Sequence, residues 1–158
     1  MKNLISLTTG LILTLSLLTP SAAHAAGATA NVTAGQGEAK IVSAKVLIDA
    51  PAEAVWQSLT SYNEMKSYLP GYQESKVIAN TGNTKTVQIG VKVHPLLPVM
   101  HYQVKINENK AAYQISINKT SGDFESIKAS YKLQAVGNQT LVTYNMNIVL
   151  GDKIPSIG

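Results

Sequence analysis

Apolar and polar residues alternate along most of this chain, and where the alternation stops the spacing becomes that of a helix. Val42, Ala44, Val46 and Ile48 interleave with Ser43, Lys45, Leu47 and Asp49, the period of two that marks a strand with one buried face. Pro51 then suits a first helical position, where its missing N–H costs nothing, and Glu53 falls where a carboxylate meets the positive end of the helix. Val55, Trp56 and Leu59 make one apolar stripe on that helix, a place where a large aromatic ring is more often core than binding surface. A second short helix is expected through Tyr62 to Tyr68, stopped by Leu69-Pro70-Gly71.

Six strands should follow. The first covers residues 74–79 and turns at Asn80-Thr81-Gly82-Asn83; the second carries Val87, Ile89, Val91 and Val93 on one face. Tyr102, Val104 and Ile106 mark a third, then a turn at Asn107-Glu108-Asn109, and Tyr113, Ile115 and Ile117 a fourth. Beyond Ser121-Gly122-Asp123 come Ile127, Ala129, Tyr131, Leu133 and Ala135, then, past Gly137-Asn138, Val142, Tyr144, Met146, Ile148 and Leu150. Turns about every ten residues between alternating strands predict an antiparallel meander, and the whole order predicts an α+β fold with a bent sheet.

The first residues follow a different rule. Lys2, an apolar run from Leu4 to Leu18, and the small-residue stretch Ser21-Ala22-Ala23-His24-Ala25 have the layout of a secretory signal peptide with an Ala-x-Ala cleavage site. Residues 1–25 are therefore read as a signal peptide, residues 26–38, which lack periodicity, as a flexible leader, and residues 39–158 as one domain. Export to the periplasm or the outside is expected, with the mature chain beginning at Ala26.

Charge and cysteine usage narrow the partners. There is no cysteine, so neither a disulfide nor a lipidated cysteine can secure the exported domain, and its stability must come from a core. The formal net charge of +4 falls to +3 (12 basic against 9 acidic residues) once Lys2 leaves with the signal segment. Lys45, Lys85, Lys92, Lys105, Lys128 and Lys132 are spread singly along the strands, without the clustering and interleaved aromatics of a nucleic-acid groove, so no nucleic-acid partner is expected. Transient contact with an anionic membrane surface is compatible with this charge.

Four segments carry a family resemblance: Ile48-Asp49-Ala50-Pro51-Ala52-Glu53-Ala54-Val55-Trp56, Tyr68-Leu69-Pro70-Gly71-Tyr72, Gly122-Asp123-Phe124, and Gly137-Asn138-Gln139-Thr140-Leu141-Val142-Thr143-Tyr144. Each resembles its counterpart in the START-like, or helix-grip, superfamily, in the branch of polyketide cyclases and coenzyme Q-binding proteins. The resemblance implies a curved antiparallel sheet gripping helices around an apolar cavity. It also implies a long C-terminal helix across the sheet, yet only Gly-Asp-Lys-Ile-Pro-Ser-Ile-Gly follows Leu150. Such a helix covers roughly 500 Å² of apolar surface, worth about 12 kcal/mol at about 25 cal/mol per Å². The expectation is a fragment ending where that helix begins; if the chain truly ends at Gly158, a homodimer, another partner or a lipid should cover the face.

Catalytic signals are sparse. No Gly-x-Ser-x-Gly, phosphate-cradling loop or pair of carboxylates at helical spacing occurs. His94 and His101 flank the apolar loop Pro95-Leu96-Leu97-Pro98-Val99-Met100 without the further donors of a metal site, so no metal and no cofactor is expected. The residues point to binding, through an apolar cavity with a few polar handles. Trp56, Val91, Tyr102, Tyr113, Tyr131, Tyr144 and Met146 are the candidate lining, the four tyrosines lying on expected apolar strand faces. The expected ligand is a hydrophobic small molecule of lipid, isoprenoid or quinone type. The alternatives are a cyclase or dehydratase with His101 or Tyr102 as its acid or base, and a protein-interaction module using the open sheet face.

Overall fold

A computed structural model describes residues 25–154, so nearly all of the expected signal peptide and the last four residues lie outside the described residues. Eight strands form one antiparallel sheet: β1 (Ala25–Ala34), β2 (Lys40–Ile48), β3 (Tyr72–Asn80), β4 (Thr84–Val91), β5 (Met100–Asn109), β6 (Gln114–Gly122), β7 (Ser126–Val136) and β8 (Gln139–Val149). Between β2 and β3 lie α1 (Ala52–Leu59), a 3-10 turn (Tyr62–Glu64) and α2 (Met65–Tyr68). The spatial order is β1-β2-β8-β7-β6-β5-β4-β3. Every neighbour but one is joined by a hairpin; the exception is β2 with β8, in register from Lys40 opposite Ile148 to Ile48 opposite Thr140. The fold is the curved antiparallel sheet with two short helices that the pattern predicts, and among the described residues no helix follows β8.

One face of this sheet is the core. Val42 and Val46 of β2, Val87 of β4, Val104 of β5, Ile115 of β6 and Val142 of β8 are each at most 2% exposed. The residues between them on each strand, such as Lys45, Lys105 and Lys128, face solvent. The large exposed apolar side chains among the described residues are Val32, Ile78, Leu96 and Val136, which do not make up the open face foreseen from the sequence. The inner positions of β2 and β8 are buried instead.

Four local expectations are corrected. Residues 25–34 are not an irregular leader: they pair with β2 from Ala25 opposite Ile48 to Ala34 opposite Lys40. The strand needs no apolar alternation because it is an exposed edge, held by backbone hydrogen bonds rather than by burial. Asn107, Glu108 and Asn109 complete β5, and the turn is the 3-10 segment Lys110–Ala112, with Asn109 Oδ1 accepting from the Ala112 N–H. Tyr113 closes that turn in the left-handed region at φ 50°, and so is not part of β6. Pro51 sits one residue before the helix, extended at φ −67° and ψ 152°.

The Gly122-Asp123-Phe124 segment shows why its residues are what they are. Gly122 has φ +110°, and a Cβ there would lie 2.3 Å from both the His101 carbonyl oxygen and the Tyr102 Cα. Asp123 Oδ2 accepts from the His101 N–H at 2.8 Å, and Phe124, 2% exposed, meets the Tyr102 ring edge-on at 5.1 Å. Gly122→Ala should therefore lower the free energy of unfolding in urea by more than about 3 kcal/mol. Gly137→Ala, at φ +61° with open space around it, should cost only about 1 kcal/mol. Equal urea midpoints for the two variants would refute this account of the β6–β7 connection.

Candidate ligand-binding cavity

The topology puts the helices over the core face. β2 lies next to one edge of the sheet and β3 forms the other edge, so the connection between them has to cross the sheet. Its start is pinned by Thr140 of β8, fully buried, whose hydroxyl donates to the Ala50 carbonyl at 2.8 Å. Val55, Trp56 and Leu59 then point α1 inward, as the apolar stripe requires. Four to eight residues of helix cannot fill the width of a curved sheet, and the unfilled volume is a cavity of about 260 Å³.

Leu59, Tyr62, Met65 and Tyr68 line it from the helical side, and Leu69, Pro70, Gly71 and Tyr72 from the turn into β3. The sheet supplies Ile89, Val91, Tyr102, Val104, Ile106, Ile115, Ile117, Ile127, Ala129, Tyr131, Tyr144, Met146 and Ile148, with Phe124 beside them. Lys92 and Val93 stand where β4 ends, against Gly71, whose carbonyl accepts from the Lys92 N–H at 2.7 Å. Gly71 is at φ +82°, and a Cβ on it would come within 2.9 Å of the Lys92 carbonyl oxygen. Among the described lining residues the only ionisable groups are tyrosines and Lys92.

Six of the seven tyrosines therefore face one small apolar space. Burial is the main reason that each phenol holds its proton more tightly than in water: Tyr68 is pushed up to about 12, and Tyr62, Tyr72, Tyr102, Tyr131 and Tyr144 are raised as well. The Tyr62 hydroxyl donates to Glu108 Oε1 at 2.8 Å, and Lys85 Nζ, which also donates to the Gly82 carbonyl, reaches Glu108 Oε2 at 2.9 Å. This trio is half-shielded, with side chains 18% and 12% exposed at Lys85 and Glu108, so Lys85 is not the solvated charge that its spacing predicts. The Tyr144 hydroxyl turns to Met146 Sδ at 3.2 Å. Tyr131 and Tyr144, directly opposite each other on β7 and β8, have ring centroids 4.7 Å apart.

Of the lining expected from the sequence, the structure brings together Val91, Tyr102, Tyr131, Tyr144 and Met146. Trp56 and Tyr113 stay outside it. Trp56 is 5% exposed and packs edge-on against Tyr113 at 5.7 Å, with the Lys110 ammonium 5.3 Å from the indole centroid and paired with Glu53. Tyr113 leaves the inner face because it closes a turn rather than opening a strand. His101 alternates with Tyr102 and so points to the outer face, 60% exposed, with Nδ1 3.5 Å from Glu74 Oε2. No cluster of three or more candidate metal ligands occurs among the described residues. Tyr62, Tyr68 and Tyr72 were not anticipated as lining, although Tyr68-Leu69-Pro70-Gly71-Tyr72 is one of the segments that carry the resemblance.

A meander wrapped around a helical crossing, with a tyrosine-lined apolar cavity between them, defines a helix-grip fold. A family profile described as polyketide cyclase / dehydrase and lipid transport matches residues 39–155, and the chain belongs to that family. Among solved structures, the Zhui aromatase/cyclase from a Streptomyces species superposes with a TM-score of 0.66 at 14% identity, covering 72% of this chain and 69% of that one. A START superfamily protein from Mycobacterium smegmatis gives 0.64 at 16% identity, over 73% and 81% of the two chains. A STAR-related lipid transfer protein from Xanthomonas axonopodis gives 0.60 at 15%, over 80% and 85%. At these identities the likeness is one of fold. No curated protein sequence matches the chain.

The phenols make the domain sensitive to alkali. A group whose folded pKa lies above its unfolded value contributes stability that is complete below the unfolded pKa, about 10.0 for tyrosine, and is lost as pH rises toward the folded value. Urea midpoints should hold up to about pH 10 and then fall steeply toward pH 12, with tyrosinate absorbance and loss of circular dichroism appearing together. Ionisation of the cavity tyrosines near pH 10 in a chain with unchanged circular dichroism would show that they are not buried as described.

Proposed function

We propose that this protein binds and carries a small apolar molecule in the compartment outside the cytoplasmic membrane. The observation that carries the reading is the cavity: it is enclosed largely by aliphatic and tyrosine side chains, and burying an apolar ligand there removes its surface from water. Its volume, about 260 Å³, supports a compact or single-chain ligand rather than a two-chain lipid held entirely inside. The mouth also suits loading from a membrane surface, since Leu96, 84% exposed, tips the loop that follows Lys92 and Val93.

Binding is favoured over turnover by the identity of the lining. A general acid or base works best with a pKa near the operating pH, whereas the tyrosines here are moved further from it and His101 lies on the other face. The family description covers cyclases and dehydrases as well as lipid transport, so the lining, rather than the fold, is what favours a carrier. Export rests on the signal-like run before Ala26, which on cleavage would leave β1 almost whole.

Two outcomes are expected. N-terminal sequencing of protein recovered from the cell envelope should read from Ala26; recovery of the uncut chain in the cytoplasm would end the export reading. Native mass spectrometry of that material should show a bound apolar mass, lost in an Ala129→Trp variant that fills the cavity while keeping native circular dichroism. Ala129 lies on β7 opposite Met146 and lines the cavity wall. Retention of the same mass by the folded variant would move the ligand to some other site.

A further inference from the structure

The two edges of the sheet are finished differently. At one edge the 3-10 turn and α2 lie against β3: the Val77 N–H donates to Asn63 Oδ1 at 2.8 Å, and the Ser75 hydroxyl, buried, accepts from the Lys66 N–H at 3.0 Å. Glu74 and Lys76 put charge on that strand, and its pairing shifts between Tyr72 and Glu74 and again between Val77 and Ala79. Cover, charge and bulges are the devices that keep an edge from pairing with another chain.

β1, at the opposite edge, carries none of them from Gly27 onward. Gly27 to Ala34 are all exposed, include no charged residue and no proline, and pair with β2 without a break in register. Among the described residues β2 is the one strand beside β1, so the outward N–H and C=O groups of this run face solvent. The family match begins at residue 39, so β1 is an addition to the frame that the family profile describes.

The residues of β1 suit a second copy of the same strand. Ala28, Ala30 and Val32 stand opposite Val46, Ala44 and Val42 of the core face, which puts them on the inner side and Thr29, Asn31 and Thr33 on the outer side. An antiparallel pair about a two-fold axis through Asn31 sets Thr29 against Thr33 twice, Asn31 against its own counterpart, and the exposed Val32 against Ala30 twice. Cross-strand threonine pairs are favourable, and no like charges meet along the strand. We propose that β1 is a homodimerisation edge, through which two copies pair residues 28–34 about Asn31 and join their sheets into one, eight strands from each. The assembly closes at two copies, because the edge left free on each is the covered β3. The pairing does not depend on what the cavity holds.

Sedimentation velocity on the protein recovered from cells, from about 1 µM to about 1 mM, tests this. A reversible monomer–dimer equilibrium is expected, with hydrogen exchange slowed in the dimer at residues 27–34 and unchanged at β3. Asn31→Lys and Asn31→Glu, at an exposed position, each put like charges face to face on the axis and should weaken the dimer by about tenfold or more. An equimolar mixture of the two should restore it to within about threefold of the parent, since unlike charges then meet. Native circular dichroism checks that each variant is folded.

A parent protein that stays monomeric across the range would overturn the proposal, a result that needs no variant. So would a dimer that both variants keep, which would put the interface elsewhere, or a mixture that associates no more tightly than either variant alone. Growth beyond a dimer would overturn the closed assembly by showing that β3 pairs as well. A different protein seated on β1 in the recovered material would give the edge to that partner and end the homodimer reading.

Discussion

The pairing of β2 with β8 is the constraint on which the rest of the molecule depends. Every other strand pair in the sheet joins neighbours in sequence, whereas this one aligns Lys40–Ile48 with partners about a hundred residues further on. It sets β2 beside the end of the meander, and so forces the chain leaving β2 to cross the inner face before it can begin β3 at the far edge. The buried hydrogen bond from Thr140 to the Ala50 carbonyl locks that departure point. Because so much loop entropy must be lost before the contact forms, it also places the fold among those whose formation is governed by long-range pairing.

The cavity is a consequence of that crossing. A sheet of eight strands presents more inner face than two helices of eight and four residues can cover, and the residues that remain uncovered are aliphatic side chains interspersed with tyrosines. Tyrosine is well suited to such a position, because its ring satisfies the apolar wall while its hydroxyl can take a polar partner, as Tyr62 does with Glu108. The polarity of the cavity is thus concentrated in a few oxygens. They are held at fixed places by neighbours such as Phe124 against Tyr102 and Tyr144 against Tyr131.

Apart from Lys92 where β4 ends, charge is arranged to keep out of this space. Most strand lysines point to the solvent face, Glu53 is paired with Lys110 on the outer side of α1, and His101 leans toward Glu74. Lys85 with Glu108, the most buried ion pair among the described residues, touches the cavity through the Tyr62 hydroxyl. A family whose members share this fold across cyclisation, dehydration and lipid transport can differ in chemistry by changing a handful of inward residues, since the frame tolerates any side chain that fits the wall.

Most of the frame was legible in the residues. Alternation located β2 and the six strands from β3 to β8, Pro51 and Gly71 bracketed the helical crossing, and the segments around Pro51, Gly71 and Gly122 marked the family. Five of the seven expected lining residues are in the wall for the same reason: period two fixes which face a strand residue takes. Two kinds of residue escaped this logic. Tyr113 fits the alternation but closes a turn, because local turn geometry outranks pattern at a strand end, and β1 has no pattern at all, because an edge strand is held by its backbone. Tyr62, Tyr68 and Tyr72 needed the tertiary structure, since only the path of the crossing brings helix and turn residues against a sheet that forms later in the chain. The sequence by itself determined which faces are apolar and therefore that a sheet would wrap something; how much space is left inside, and which side chains line it, was decided by long-range packing that no local spacing encodes.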